Sequence, residues 1–374
     1  MRIITRFYHP LILSALLILP VIYGLSCFSL VSAQDPEQKD QNQEKIEQDA
    51  TIKLDTDLVS VDLSVTDRKG NRSVTGLTAA DFAVYEDGVR QRITNFSTAD
   101  VPFSLALMID TSASTRDELE LIKRAARRFI DDLRLRDRIA LLQFNKDIDI
   151  TQALTSNRTK LEDALNLLKL GSGTAFYDAM ERSVDQALKV GGKKAIVALT
   201  DGVDSYGSAT YDLLLPELEK AGASVYFLEL DTESFTEAGM VRDCNDKDHF
   251  RFSKKQLQKY VKEYLQGGDE EGYQNHCALS SLERIQINGR LYQSARRELR
   301  EISKRTGGRV YPIKELRELE SAYKQIAAEL SQQYSLAYYP TNDKHDGKWR
   351  TLRVEIRRPG FAVTTKPGYR APQD

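Results

Sequence analysis

The sequence predicts an α/β protein: a doubly wound, mostly parallel sheet, with a small β-sandwich-like domain built from the N- and C-terminal segments. Three observations carry this prediction. From residue 103 onward, short apolar runs alternate with amphipathic helical stretches, the rhythm of a parallel sheet covered by helices. Before residue 100 and after residue 334 the apolar period drops to two, as in half-buried strands. Four or so strands in the N-terminal flank are too few to close a sandwich, so the two flanks are expected to combine.

The chain has 374 residues, 41% hydrophobic and 29% charged, which is ordinary globular composition and room for about two domains. A net charge of −2 gives no electrostatic case for nucleic-acid binding. Three cysteines exclude a disulfide-rich scaffold. Residues 1–33 read as a signal peptide. Arg2 and Arg6 precede an apolar run over 11–31, and Val31-Ser32-Ala33 forms a small-residue cleavage site. The run is also about the ~20 residues that span a bilayer, so an uncleaved membrane tether is the alternative. A lipid anchor on Cys27 fits less well, with Gly24 where leucine is usual. Residues 34–50 are polar, Ile46 being the only large apolar side chain, and read as a disordered spacer. The predicted location is therefore outside the cytoplasm: periplasmic, cell-surface or secreted.

In chain order, Val59, Val61, Leu63 and Val65 alternate with Ser60, Asp62 and Ser64, a strand with one buried face. Short strands follow at 82–85 and 93–96, so 51–100 forms the first part of the β-domain. Residues 103–109 (FSLALMI) have the length and character of a buried parallel strand. A helix over 117–133 presents Leu119, Ile122, Ala126, Phe129, Ile130 and Leu133 on one face. Strands at 138–144 and 147–154 lead to helices near 160–168 and 175–190, the second after the glycine-rich turn 171–174. Strands at 194–200 and 224–230 bracket a helix over 211–221. Residues 231–289 break the rhythm with a charged insertion. It resumes with a helix at 294–304, a strand at 309–313 and a helix over 315–332 whose apolar stripe reads as core packing. The α/β domain thus spans 101–333, and strands at 334–339, 351–357 and 361–365 place the rest of the β-domain in 334–374.

Asp110, Ser112 and Ser114 fall on the turn leaving the strand 103–109, at the carboxyl edge where open α/β sheets place ligands. A carboxylate with two hydroxyls is a hard-oxygen set suited to Mg²⁺. Thr174, in the glycine-rich turn, and Asp201, ending the strand 194–200, offer matching donors from loops that can share that edge. Each piece alone is weak, since a serine-rich turn also caps helices and Thr-Asp-Gly is an ordinary turn. Together and in order they are specific.

On these residues (DTSAS at 110–114, Thr174 within GSGTAFYDA, and TDG at 200–202) the segment from about 101 to 333, without the insertion, resembles the von Willebrand factor type A domain and its metal-ion-dependent adhesion site. The flanks DLVSVDLSVTDRKGN, LTAADFAVYEDG and PGYRA resemble bacterial exported "VWFA-related" proteins first grouped in acidobacteria. The resemblance implies a Rossmann-like fold. It also implies a cation, Mg²⁺ or else Mn²⁺ or Ca²⁺, held by Asp110, Ser112, Ser114, Thr174 and Asp201. A coordination position left to water would accept a carboxylate from a protein partner. The implied function is adhesion or interaction without catalysis. The alternatives are a metal-dependent hydrolase, for which no strand-end histidine base is evident, and a structural envelope protein with no metal role.

The insertion holds Cys244 and Cys277, His249 and His276. In an exported chain a disulfide is expected, stabilising by about 3–4 kcal/mol in the chain-entropy model. Zinc is the alternative, disfavoured because adjacent His276 and Cys277 chelate poorly. The insertion is expected to carry partner specificity and to be separable from cation binding.

Overall fold

A computed structural model of the chain describes residues 58–67, 72–98, 101–113, 115, 119–187, 192–265, 273 and 275–373. The predicted signal peptide (1–33) and spacer (34–50) lie outside these residues. Among them, no helix is long and apolar enough to cross a membrane.

The N-terminal flank gives four strands: β1 (Val59–Asp67), β2 (Phe82–Glu86), β3 (Val89–Gln91) and β4 (Ile93–Ser97). The α/β region runs β5 (Phe103–Asp110), α1 (Leu119–Asp132), β6 (Arg138–Phe144), β7 (Ile148–Thr155), α2 (Arg158–Asn166), α3 (Phe176–Ala187) and β8 (Lys193–Thr200). It continues with α4 (Tyr211–Ala221), β9 (Ser224–Leu230), α5 (Glu233–Met240), α6 (Lys254–Tyr264), α7 (Ser281–Thr306), β10 (Val310–Ile313) and α8 (Leu319–Ser331). The tail adds β11 (Tyr334–Tyr338), β12 (Trp349–Ile356), β13 (Phe361–Thr365) and β14 (Gly368–Arg370).

The central sheet has the order β10-β9-β8-β5-β6-β7, parallel except for β7. Every residue of β5 is buried, as its mostly apolar run, with Ser104 the one polar residue before Asp110, leads one to expect of a strand covered on both faces. Side chains of alternate parity face two cores. Leu105, Leu107 and Ile109 pack with residues of α1, α2 and α8, while Ala106 and Met108 pack with residues of α3, α4 and α7. From β5 the chain moves first to β6 and later, through β8, to the opposite side. Neighbouring β5 and β8 therefore define the topological switch point, where the loops diverge and leave a crevice.

The flanking strands form two antiparallel sheets, β13-β1-β11-β4 and β14-β12-β2-β3. Both mix the chain's ends: Val61 pairs with Leu336, and Val84 with Val354. Val61, Leu63, Phe82, Val84, Leu336 and Tyr338 share one core. The seam to the α/β sheet is polar. Buried Glu329 accepts from Ser64 Oγ at 2.8 Å, Tyr311 OH at 3.1 Å and Tyr226 OH at 3.3 Å, with Arg309 3.9 Å away.

Two helices differ from expectation. α7 begins thirteen residues before the expected 294, at Ser281, so the end of the assumed insertion is already helix. Ser280 and Glu283 form a capping box there, and Gly289, which looks like a breaker in sequence, is carried by the packing of Ile287, Leu291 and Tyr292. α8 starts at Leu319, because 316–318 form a 3₁₀ turn instead.

Candidate metal centre

Asp110 closes β5 and its side chain turns back on its own loop. Oδ1 accepts from the Ser112 amide at 3.0 Å, the Ser112 hydroxyl also bonds to the carboxylate, and Thr115 Oγ closes the turn on Ser112 O at 2.9 Å. The loop is pinned sideways as well. Thr111 N–H donates to Phe144 O and Gly171 N–H to Thr111 O, both at 2.8 Å. Those bonds draw the glycine-rich turn against the end of β5. At Gly171 a Cβ would lie 2.3 Å from Asn145, and at Gly173, with φ of +67°, one would lie 2.2 Å from the Tyr206 ring. Only glycine fits this close approach at both positions.

Thr174 follows at the start of the turn into α3. Its amide donates to Ser205 Oγ at 2.8 Å, and its carbonyl accepts from the amides of Ser205 and Tyr206. The loop after β8 is thereby stitched to the loop before α3. Thr200 makes the third link, donating its hydroxyl to Asp110 Oδ2 at 2.9 Å while accepting from Gly202 N–H at 3.0 Å. The loops that carry Asp110 and Ser112, Thr174, and Asp201 are thus tied to one another at the switch point. Ser114 lies outside the described residues.

Asp201 is held by residues that the sequence reading missed. Oδ1 accepts from Val203 N–H at 2.9 Å. Oδ2 accepts from Thr232 Oγ at 2.5 Å and Tyr292 OH at 3.3 Å, and Thr236 Oγ sits 2.5 Å from the same Tyr292 hydroxyl. Thr232 precedes α5 and Tyr292 lies on α7, so the insertion and its flanks touch the site directly. The insertion is therefore not apart from Asp201 in the fold: 235–288 includes Thr236 and the first turns of α7. No local motif announces these contacts, because 31 and 91 residues separate Asp201 from Thr232 and Tyr292.

Burial pushes the Asp110 carboxyl up to about 7, and the charge of Asp201 adds to the shift. Burial raises Asp201 too, opposed by its hydroxyl and amide donors and, less strongly, by the charge of Arg296. Arg296 itself ion-pairs with Glu229, Asp231 and Glu233. Two buried carboxylates with no ion-paired lysine or arginine among the described residues form a site short of positive charge. Their oxygens and the neighbouring hydroxyls are hard donors, so the residues fit a divalent cation such as Mg²⁺.

Residues 105–203 match the family model of the von Willebrand factor type A domain, a span that holds all five predicted ligands. The chain therefore carries a type A domain, set between the two halves of an antiparallel sandwich. Among solved structures it is similar to BatB from Bacteroides thetaiotaomicron, at 17% identity over 61% of this chain and 98% of that one, with a TM-score of 0.37. An aerotolerance-related membrane protein from Bacteroides fragilis is similar at 18% identity, over 62% of this chain and 98% of that one, with a TM-score of 0.38. A von Willebrand factor type A protein from Catenulispora acidiphila matches at 13% identity, over 78% and 74% of the two chains, with a TM-score of 0.40. No curated protein matches the chain.

Proposed function

We propose that this chain is an exported protein-binding module that works through a divalent cation. Asp110, Ser112, Ser114, Thr174 and Asp201 would hold Mg²⁺, or Mn²⁺ or Ca²⁺ by the same oxygen chemistry. The bound ion supplies a coordination position that a partner's carboxylate can fill. The protein's own residues do the rest: Thr200 orients Asp110, and Thr232 and Tyr292 orient Asp201.

One observation supports this reading above the others. Asp110 and Asp201 are buried side by side at the switch point, and the donors that satisfy them are neutral. Burying like charges in that way is costly unless a counter-charge arrives. Export rests on the sequence of residues 1–33.

The test is capture of a partner from envelope extract by the full chain in Mg²⁺, in EDTA, and with Asp110→Ala. Capture in Mg²⁺ that is lost in the other two conditions is the expected result. Equal capture in all three refutes cation-dependent binding.

A further inference from the structure

The insertion contains a second cluster of ligand-forming side chains, chemically unlike the first. Cys244 and Cys277 are joined as a disulfide, with Cα atoms 6.1 Å apart. His249 Nε2 lies 3.5 Å from Cys244 Sγ, and the ligand atoms of Cys244, Cys277 and His249 all lie within 4.8 Å of one another. A disulfide that only staples a loop needs no imidazole at its sulfur. A soft metal site needs one: two thiolates and a histidine nitrogen are ligands for zinc, with a fourth position to be filled by water.

Two neighbours support the same reading. Arg284 is buried, held by the carbonyls of Met240 and Arg242, and its Nη2 lies 3.7 Å from Cys244 Sγ. A guanidinium there stabilises a thiolate at Cys244 once the disulfide is opened. It also tolerates the metal, because two thiolates cancel the charge of a divalent ion and leave Arg284 donating to sulfur. His276 has a different part. Its Nδ1 accepts from Phe252 N–H at 3.3 Å, and its ring packs edge-on against His249 with centroids 4.8 Å apart. That contact fixes the His249 ring beside the sulfurs. With His249 rather than His276 beside the sulfurs as the nitrogen donor, the awkward His276-Cys277 adjacency does not arise.

We propose that Cys244, Cys277 and His249 form a redox-gated site for a borderline-soft divalent cation, closed by the disulfide and opened by its reduction. A dithiol reductant supplies two electrons and two protons: the S–S bond breaks, two thiols form, and the reductant leaves as its own disulfide. The cation then displaces the two thiol protons and binds both sulfurs. Cys277 is exposed, so reductant and cation both have access. The small core around the cysteines (Met240, Phe252, Leu257, Leu279, Ile287 and Leu291) would in either state be held by a cross-link, covalent or metallic.

The test uses the full chain, reduced with a dithiol, desalted without oxygen and titrated with Co²⁺ as a spectroscopic stand-in for zinc. The expected result is a thiolate-to-cobalt charge-transfer band with intense tetrahedral visible bands, saturating at one ion per chain. An oxygen-ligated site at the sheet edge gives neither signal, so Asp110→Asn leaves the spectrum unchanged even if the edge site does not bind metal. Cys244→Ser abolishes the band, and His249→Gln weakens Co²⁺ binding by about tenfold or more. Absence of the band in reduced chain that keeps its near-ultraviolet circular dichroism overturns the proposal. So does a reduced chain that loses that dichroism and does not regain it with cobalt, or an unchanged affinity in His249→Gln.

Discussion

Asp204 and Glu298 each face a lysine from α6, whereas Asp110 and Asp201 face hydroxyls and amides. Lys255 Nζ lies 2.5 Å from Asp204, and Lys259 Nζ lies 2.8 Å from both oxygens of Glu298, which Tyr177 also contacts. These acids belong to the seam where the insertion docks on the sheet. All four are buried to a similar degree, yet among the described residues only the acids at the seam have an ion-paired lysine. The difference separates acids paired within the fold from acids for which we propose a cation as the counter-charge, and it can be tested from both sides.

The largest effect is expected at the seam. Lys259→Met leaves Glu298 buried and unpaired, and should cost about 3 kcal/mol in a denaturant melt, with or without Mg²⁺. A cost that disappears in Mg²⁺ would mean that the two regions are not distinct. At the edge the same kind of change should behave differently. Asp110→Asn removes a charge that lacks an ion pair, so metal-free stability at pH 8 should not fall. The variant should instead lose the rise in Tm that Mg²⁺ gives the parent chain.

A smaller effect comes from the contact between the regions. Tyr292→Phe removes one hydroxyl donor from Asp201 and should cost about 1 kcal/mol. It should also weaken Mn²⁺ binding a few-fold, measured by calorimetry, whereas an insertion independent of the site would leave the affinity unchanged.

The pH dependence is subtler still. Without divalent cations the folded Asp110 carboxyl titrates at about 7, above its ordinary 3.8, so the folded state holds a proton that the unfolded chain releases. Its contribution to stability is complete below the unfolded value and is lost as pH rises through about 7. A cation favours the ionised form, so the stabilisation by Mg²⁺ should grow over the same interval. Melts from pH 5 to 8 with EDTA and with Mg²⁺ check both signs.

Much of this was legible in the sequence. The apolar run 105–109 of β5 and the period-two pattern of β1 reflect what each strand buries, and local composition records that directly. The placement of Asp110, Ser112, Thr174 and Asp201 could be read because they end strands or precede a helix, which sets their loops along one sheet edge. Thr232, Thr236 and Tyr292 could not, since their role depends on how α5 and α7 fold back over the loop after β8. The start of α7 was missed for a related reason: Gly289 weakens the local helical signal, and tertiary packing overrides it.

Cation binding by the un-neutralised pair at the sheet edge can be followed by Mn²⁺ titration of the full chain with electron paramagnetic resonance. One bound Mn²⁺ per chain is expected, displaced by excess Mg²⁺ and lost in Asp110→Asn at unchanged circular dichroism. Binding of the same ion with the same affinity in Asp110→Asn, or no bound Mn²⁺ in the parent chain, would contradict it.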